Sequence, residues 1–390
     1  MADIMESPFN FRMPREVVFG AGTSALAAEK AAALGARRPV FITGRSMAKS
    51  AALARLMDAA KARGMEPSLW PEVEPEPPAA LLYKAAADIR ASRGDCLIAL
   101  GGGSSMDFAK MTAVLAKFPE LDAADMVGSE KVPARGLPTI MIPTTAGSGS
   151  EVSAVAVFSF PEEKTKKGVA SGSIVADIAL VDPELTLGLP PATTAASGMD
   201  ALVHAVESYL ALGTNPLTQD LALSAIRKIA PNLAICVKEP ENAEARAAQA
   251  YGSLTAGMAF AMSGTAGVHA LAYPLGGEFH VPHGEANTAM LRWVMEYNLE
   301  GCPEKFVPIA EAMGINTAGM SAGRAAEAAL DAMIALGEEC GVKTRLRDFG
   351  IPKDAAARMA GAAMKETRLI NNNPRRLTEE AVKAIYERAW

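Results

Sequence analysis

The sequence predicts an α/β domain built on a parallel sheet, followed by an all-helical domain. Up to about Asp182, short apolar and β-branched runs alternate with segments of helical period, the pattern of a sheet with helices on both faces. From Leu189 on, long alanine-rich stretches of helical period take over. A chain of 390 residues also exceeds one ordinary core, so two domains of roughly 150–200 residues are expected, at 1–187 and 188–390.

Residues 10–19 lead through V-V-F-G into a strand, a turn at Gly20–Gly22 and a helix over 24–34. Pro39–Thr43 is a buried strand that Gly44 ends, and a helix follows over 46–63. Four prolines between Trp70 and Pro78 make that stretch a loop, since proline removes donors and blocks helix. A helix over 79–93 then precedes a second buried strand at Cys96–Leu100, and Pro138–Ile142 is a third. Residues 151–182 hold further strand-like runs around a tip, Pro161-Glu162-Glu163-Lys164, with Lys166 and Lys167 just beyond it. Such a charge run reads first as a solvated hairpin tip.

Two glycine-rich turns compete for a phosphate-binding role. Gly20-Ala21-Gly22-Thr23-Ser24-Ala25 fits G-x-G-x-x-A, but the acid expected at the end of the next strand is absent; Gly44 stands there. It reads as a structural turn. Gly101-Gly102-Gly103-Ser104 is the stronger signal. Three glycines let the backbone approach a ligand, and the helix opening at about Ser105 offers free N–H groups and a positive dipole end to a pyrophosphate. After the third strand, Thr144, Thr145, Ser148 and Ser150 bring hydroxyls, and Gly147 and Gly149 let the loop bend. That combination suits a ribose or a nicotinamide amide.

Composition excludes several classes of partner. Lys plus Arg is 38 and Asp plus Glu 44, a net charge of −6 without long charge runs, which argues against nucleic acid and anionic membrane. No stretch reaches about 18 uninterrupted apolar residues. The polar, acidic first twelve residues are unlike a secretory signal, so a cytoplasmic location is expected. Cys96, Cys236, Cys302 and Cys340 lack C-x-x-C spacing and read as reduced thiols.

The helical half is predicted over about 193–212, 217–236, 242–263, 265–273, 285–298, 303–313, 321–340, 353–364 and 378–389. It holds all four histidines of the chain. Asp200 and His204 are four apart and share one face of a helix; Glu207, three further on, is expected to orient that imidazole. His269, His280 and His283 lie in H-A-L-A-Y-P-L-G-G-E-F-H-V-P-H, where Pro274 is expected to end or kink a helix. Asp200, His204, His269 and His283 make a borderline N/O set that suits Fe²⁺ or Zn²⁺ with room for a substrate oxygen. His280 then reads as a rim residue or proton carrier before a further ligand.

Taken in order, G-G-G-S-S-M-D-F-A-K at 101–110, P-T-T-A-G-S-G-S-E-V at 143–152, G-M-D-A-L-V-H-A-V-E at 198–207, the 269–284 stretch and N-N-N-P-R-R-L-T at 371–378 resemble the iron-containing (group III) alcohol dehydrogenases. The resemblance implies a Rossmann-like nicotinamide-binding domain, a helical metal and substrate domain, a cleft between them and a homodimer, often with N-terminal strands paired between subunits. It implies Asp200, His204, His269 and His283 as metal ligands. It places the pyrophosphate on Gly101, Gly102, Gly103 and Ser104 with Asp107 nearby, the cofactor beside Thr144, Thr145 and Ser148, and Lys166, or Lys167 if the register slips, at the ribose.

Two departures stand out. The histidine that relatives carry four residues after the third ligand is Tyr273 here, so His280, Tyr273 or water is left to move the proton. The acid common in NAD-using relatives is replaced by Gly44-Arg45-Ser46, which leaves space, a cation and a hydroxyl and favours NADP over NAD. The reading is NAD(P)-linked hydride transfer between a small alcohol and its aldehyde, with the metal polarising the substrate oxygen and a short apolar pocket near Met258, Met262, Tyr273 and Phe279. Two alternatives stand beside it. One is a non-redox lyase or cyclase resembling dehydroquinate synthase, and the other is a non-catalytic sensor, which the complete ligand set and glycine loop disfavour.

Overall fold

A computed structural model describes residues 8–160 and 165–390 of the chain. The extreme N-terminus and the tip at Pro161–Lys164 lie outside the described residues. The chain forms two compact units, one spanning Arg12–Leu187 and the other holding Gly188–Trp390. Among the described residues no helix is long and apolar enough to cross a membrane.

The first unit holds strands β1 (Glu16–Phe19), β2 (Pro39–Ile42), β3 (Ser68–Trp70), β4 (Cys96–Gly101), β5 (Gly128–Ser129), β6 (Thr139–Pro143), β7 (Val155–Phe160), β8 (Thr165–Ala170) and β9 (Ile178–Val181). Its helices are α1 (Ala27–Ala33), α2 (Ala51–Ala62), α3 (Ala79–Ala91) and α4 (Gly103–Lys117). Six strands form one parallel sheet in the order β1-β9-β6-β4-β2-β3, and β5, β8 and β7 form a second, small one. Successive side chains of a strand face opposite ways, and both faces here are covered. Val40, Ile42, Leu97, Ala99 and Met141 pack with residues of α3 and α4, while Phe41, Ile98, Leu100, Ile140 and Ile142 pack with residues of α1 and α2. β3 was missed in the sequence because it is three residues long at the sheet edge, immediately before the prolines.

The strand order decides where this unit binds. From β2 the chain steps outward to β3, then returns to the other side of β2 for β4 and continues to β6 and β9. The reversal lies between β2 and β4, and ligands of open parallel sheets bind beyond the carboxyl ends of the strands at such a point. Gly44–Ser46 follow β2, and the Gly101–Ser104 loop leaves β4 into α4. The first glycine turn is engaged elsewhere. Its Gly22 and Ser24 amides and the Ser24 hydroxyl all donate to the Asp182 carboxylate, at 3.0, 3.1 and 2.6 Å. A side chain of the protein takes the place an anion would need there, which bears out the structural reading of that turn.

A buried polar knot fixes the hydroxyl loop against α4. Lys110 is 1% exposed, and its Nζ donates to Ser150 Oγ at 3.0 Å, Ser153 Oγ at 3.3 Å and the Val155 carbonyl at 2.8 Å. Asp107, 3.7 Å from that ammonium, accepts from the Ser150 hydroxyl at 2.5 Å and the Val157 amide at 2.9 Å. Burial pushes the Lys110 ammonium down and the Asp107 carboxyl up, and each partner's charge offsets part of the other's shift. Glu151, 3% exposed, is pushed up to about 7 by burial, its own backbone and Lys110 offsetting only part of the effect.

The second unit is all helical: α5 (Pro191–Leu210), α6 (Pro216–Lys238), α7 (Ala243–Ser263), α8 (Gly267–Phe279), α9 (His283–Leu299), α10 (Val307–Ala312), α11 (Ala322–Glu339), α12 (Ala356–Ala363), α13 (Thr367–Ile370) and α14 (Glu379–Ala389). One apolar core serves all of it, with Leu202, Val206, Leu271, Met290 and Val294 buried at its centre. Of the two expectations for Pro274, an end or a kink, the end is not met: α8 runs through it to Phe279. Packing of its buried residues, Val268, Ala270, Leu271, Ala272 and Leu275, outweighs the hydrogen bond that proline cannot donate. Gly284 brings the start of α9 onto α5: a Cβ there would lie 2.3 Å from the Ala196 carbonyl oxygen.

The Glu151 environment has a measurable pH signature. A carboxyl whose pKa is raised from 4.5 to about 7 favours folding fully below its unfolded value, and that contribution is lost as pH rises through 7. Glu151→Gln is expected to match wild type near pH 5 and to exceed it by about 1–3 kcal/mol at pH 8, read by denaturant unfolding at both pH values.

Candidate metal and nucleotide sites

The helical unit gathers four donors. Asp200 and His204 project from one face of α5, His269 from the first turn of α8 and His283 from the start of α9. Their ligand atoms all lie within 4.8 Å of one another. Asp200 Oδ2 is 3.9 Å from His204 Nδ1, and Asp200 Oδ1 is 3.9 Å from Nε2 of both His269 and His283. The rings of His204 and His269 stack at 4.7 Å, and Phe260 of α7 also stacks on His204, at 4.3 Å. Three of the side chains are almost wholly buried, while His283 is 41% exposed and forms the open side. Burial pushes the Asp200 carboxyl up, but His204, His283, His269 and the Asn287 amide together outweigh it and hold it below the ordinary range.

Glu207 does not orient His204, as the spacing predicted, but His269. Its Oε2 lies 2.6 Å from His269 Nδ1, and its carboxylate also accepts from the Ala266 and Val268 amides at 3.0 and 2.5 Å. The reason is tertiary. α8 begins against this face of α5 and has no capping side chain of its own, so its N-terminal N–H groups and dipole draw in the buried carboxylate. A carboxylate only accepts, which places the imidazole proton on Nδ1 and leaves the Nε2 lone pair facing the cluster.

Asn287 completes the arrangement and escaped the sequence reading. It lies four residues after His283 on the same face of α9, and that spacing was the available signal. Its fully buried Nδ2 donates to Asp200 Oδ1 at 2.7 Å and lies 3.2 Å from Nε2 of His269 and of His283. An amide has two protons to offer three acceptors, and its own Oδ1 has no hydrogen-bond partner among the described residues. Asp200, His204, His269 and His283 thus bring a carboxylate oxygen and three ring nitrogens together around one amide, which is the chemistry of a cation site. Three imidazole nitrogens and one carboxylate oxygen fit Fe²⁺ or Zn²⁺.

His280 is not among the four clustered donors. It is exposed and caps the end of α8 in the left-handed region, at φ 57. Tyr273, half-buried and one turn beyond His269, has its ring 6.4 Å from that of His283.

In the first unit the glycine and hydroxyl loops meet. α4 begins at Gly103, two residues earlier than expected, with no side chain capping it. The Thr144 amide donates to the Gly101 carbonyl at 3.0 Å. A Cβ on Gly102 would lie 3.4 Å from Thr145 Oγ1, and one on Gly103 would lie 2.9 Å from Ser148. A Cβ at Gly44 would lie 3.1 Å from the Val73 carbonyl, and Arg45 and Ser46 are exposed. Asp107 faces Ser150 and Val157, as described above. Lys166 on β8 is buried, with its ammonium 2.5 Å from Glu76 Oε1, and Lys167 lies over the Phe160 ring at 4.8 Å.

Two family models together cover most of the chain. Residues 14–183 match the model described as iron-containing alcohol dehydrogenase, and 194–390 match the Fe-containing alcohol dehydrogenase family, C-terminal. The chain is 38% identical over 359 residues to a long-chain-alcohol dehydrogenase of Geobacillus thermodenitrificans, covering 92% of this chain and 90% of that protein. It is similar to a crystal structure of 1,3-propanediol oxidoreductase, with TM-score 0.95, 36% identity and coverage of 98% and 100%. It is also similar to a sulfoacetaldehyde reductase from Bifidobacterium kashiwanohense in complex with NAD⁺, with TM-score 0.87, 29% identity and coverage of 98% and 99%.

Glu207→Ala removes both the partner of His269 and the cap of α8. Losses of outer partners of this kind typically cost 10–100-fold in metal affinity. Competition with a chelator is expected to show a drop of about that size, and a wild-type metal affinity would refute the assignment of Glu207.

Proposed function

We propose a reaction from one premise: the chain belongs to the iron-containing alcohol dehydrogenase family. It is an oxidoreductase acting on CH–OH groups, an NAD(P)-linked alcohol dehydrogenase and aldehyde reductase. The observation that carries the reading is the convergence of Asp200, His204, His269 and His283, supported by a glycine loop at the reversal point of the sheet. Relatives named as dehydrogenases and reductases favour net redox turnover over the cyclase alternative.

Asp200, His204, His269 and His283 hold the divalent ion, Fe²⁺ or Zn²⁺ by their donor chemistry. Bound there, the ion supplies Lewis-acid polarisation of the substrate oxygen. The protein's own groups do the rest. Glu207 keeps the Nδ1 proton in place, and Asn287 holds the Asp200 carboxylate in position. Gly101–Ser104 and the uncapped start of α4 receive the pyrophosphate, and Thr144, Thr145 and Ser148 line the nicotinamide half. Lys166 reaches the ribose. Asp107 serves the cofactor site through Ser150, whose hydroxyl it holds.

The hydroxyl proton leaves through α8, which carries Tyr273, its ring 6.4 Å from that of His283, and the exposed His280 imidazole at its end. The substrate is a small alcohol or aldehyde with a short aliphatic body, a reading supported by partly buried Met258, Met262, Tyr273 and Phe279. Gly44, Arg45 and Ser46 favour NADP. The first offers no acid to repel a 2′-phosphate, and the other two offer an exposed cation and hydroxyl. A homodimer is supported by β1, which pairs only with β9 among the described strands and so leaves an outer sheet edge.

The deciding experiment strips the protein of metal, reloads it with Fe²⁺ or Zn²⁺, and follows reduced nicotinamide with a panel of short aldehydes. Turnover is expected with both dinucleotides and a lower KM for NADPH. His269→Ala is expected to lose bound metal, and to lose turnover by more than the roughly 100-fold that an outer partner costs. A His269→Ala protein with wild-type metal content and rate would sink the site.

A further inference from the structure

We propose that Asn373 is a positioning residue for the metal: it holds the first turn of α8 and, through that turn, the aim of His269. The inference rests on the metal reading above. It gives the 371–378 segment a task and His269 a second anchor beside Glu207.

Three observations within the helical unit carry it. The first is how the amides at the start of α8 are divided. Glu207 accepts from Ala266 and Val268, and the amide between them, Gly267, donates instead to Asn373 Oδ1 at 3.2 Å. Asn373 is 2% exposed, and His269 stands two residues beyond that contact. The second is that Asn373 is itself fixed. Its Nδ2 donates to the Arg375 carbonyl at 2.6 Å and to Asn298 Oδ1 of α9 at 2.7 Å, and Asn298 Nδ2 donates back to Asn373 Oδ1 at 3.1 Å. Third, its neighbour Asn372 fixes the link that leads into α8. The Asn372 Nδ2 donates to the Ser263 and Thr265 carbonyls at 2.8 and 2.9 Å, and its Oδ1 accepts from the Gly213 amide, just beyond α5, at 2.9 Å.

The chemistry explains the residue type. A carboxamide donates and accepts at once, whereas an ionised carboxylate only accepts. Here Oδ1 faces a helix start, whose N–H groups need an acceptor, and Nδ2 faces a carbonyl. Asparagine meets both demands and puts no second charge beside Glu207. The contact also requires Gly267, because a Cβ there would lie 2.7 Å from Asn373 Oδ1. A buried amide that loses its acceptor is costly, so without Asn373 the first turn of α8 shifts to find another. That shift carries His269 away from the other three donors. Metal–ligand distances stay within about 0.2 Å of their preferred values, so even a small shift is felt.

The test compares wild type with Asn373→Ala, Gly267→Ala and Asn298→Ala. It measures Zn²⁺ affinity by competition with a chelator, the visible absorption of the Co²⁺-loaded protein, and thermal unfolding of each metal-free protein. The first two variants break the Gly267–Asn373 contact from opposite sides. Asn298→Ala removes the other amide, about four turns along α9 from His283, and leaves Asn373 held by the Arg375 carbonyl. Asn373→Ala and Gly267→Ala are expected to weaken Zn²⁺ binding about tenfold and to alter the Co²⁺ spectrum. Asn298→Ala is expected to lower the unfolding temperature as Asn373→Ala does, yet to bind within about threefold of wild type with an unchanged spectrum. Should Asn373→Ala not fold, Gly267→Ala decides, since it keeps every polar group. Wild-type affinity and spectrum in the contact variants overturn this inference alone. So does a loss in Asn298→Ala as large as theirs, which marks general destabilisation. A wild type that binds no divalent ion overturns the metal reading and this inference with it.

Discussion

The buried Glu207 carboxylate is the constraint on which the four-donor cluster depends. It accepts from the first amides of α8 and from the His269 ring, so one side chain of α5 both starts the next helix and sets the tautomer of the residue that helix carries. A helix that begins in a protein interior must satisfy its orphan N–H groups, and an anion aligned with its dipole does this most favourably. Because the same carboxylate accepts the hydrogen bond from Nδ1–H, closing that requirement also aims Nε2 at the cluster. Helix placement and ligand chemistry are here one electrostatic solution.

In the first unit the corresponding constraint is the strand order. The reversal lies between β2 and β4, and the sequence puts glycines beyond their carboxyl ends, Gly44 and Gly101–Gly103, where neighbouring atoms approach too closely for a side chain. The Lys110–Asp107–Ser150 knot then pins the hydroxyl loop to the helix that the glycine loop begins. Lys110 is almost fully buried and donates only to this loop, so the knot positions the loop from inside the unit.

Much of this was legible in the residues because the informative ones are rare or locally spaced. Four histidines in 390 residues, two of them bracketing one short stretch and one paired with Asp200 at a helical interval, point to a cluster before any coordinates. Three consecutive glycines after a buried strand point to a phosphate turn in the same way. What stayed hidden depends on contacts between distant segments. Glu207 has the right spacing to serve His204, and only the packing of α8 on α5 hands it to His269. Asn287 looks like any polar residue on a helix until His269 and Asp200 are brought to its amide. Proline content marks 70–78 as a loop but says nothing of the left-handed turn at Glu76, and Pro274 reads as the end or kink of a helix because the packing that carries α8 through it is invisible locally.

The cluster is also spread along the chain in an unequal way. Asp200 and His204 come from a single helix and exist as a pair whenever α5 does. His269 and His283 arrive only after two further helices, α6 and α7, have intervened, and only once α8 and α9 have docked. During synthesis a nascent chain therefore offers a two-donor site, which holds a divalent ion weakly, until α8 and α9 have been made and have docked. Tight capture waits on those two helices, and metal retention doubles as an inspection of whether α8 and α9 found their places on α5.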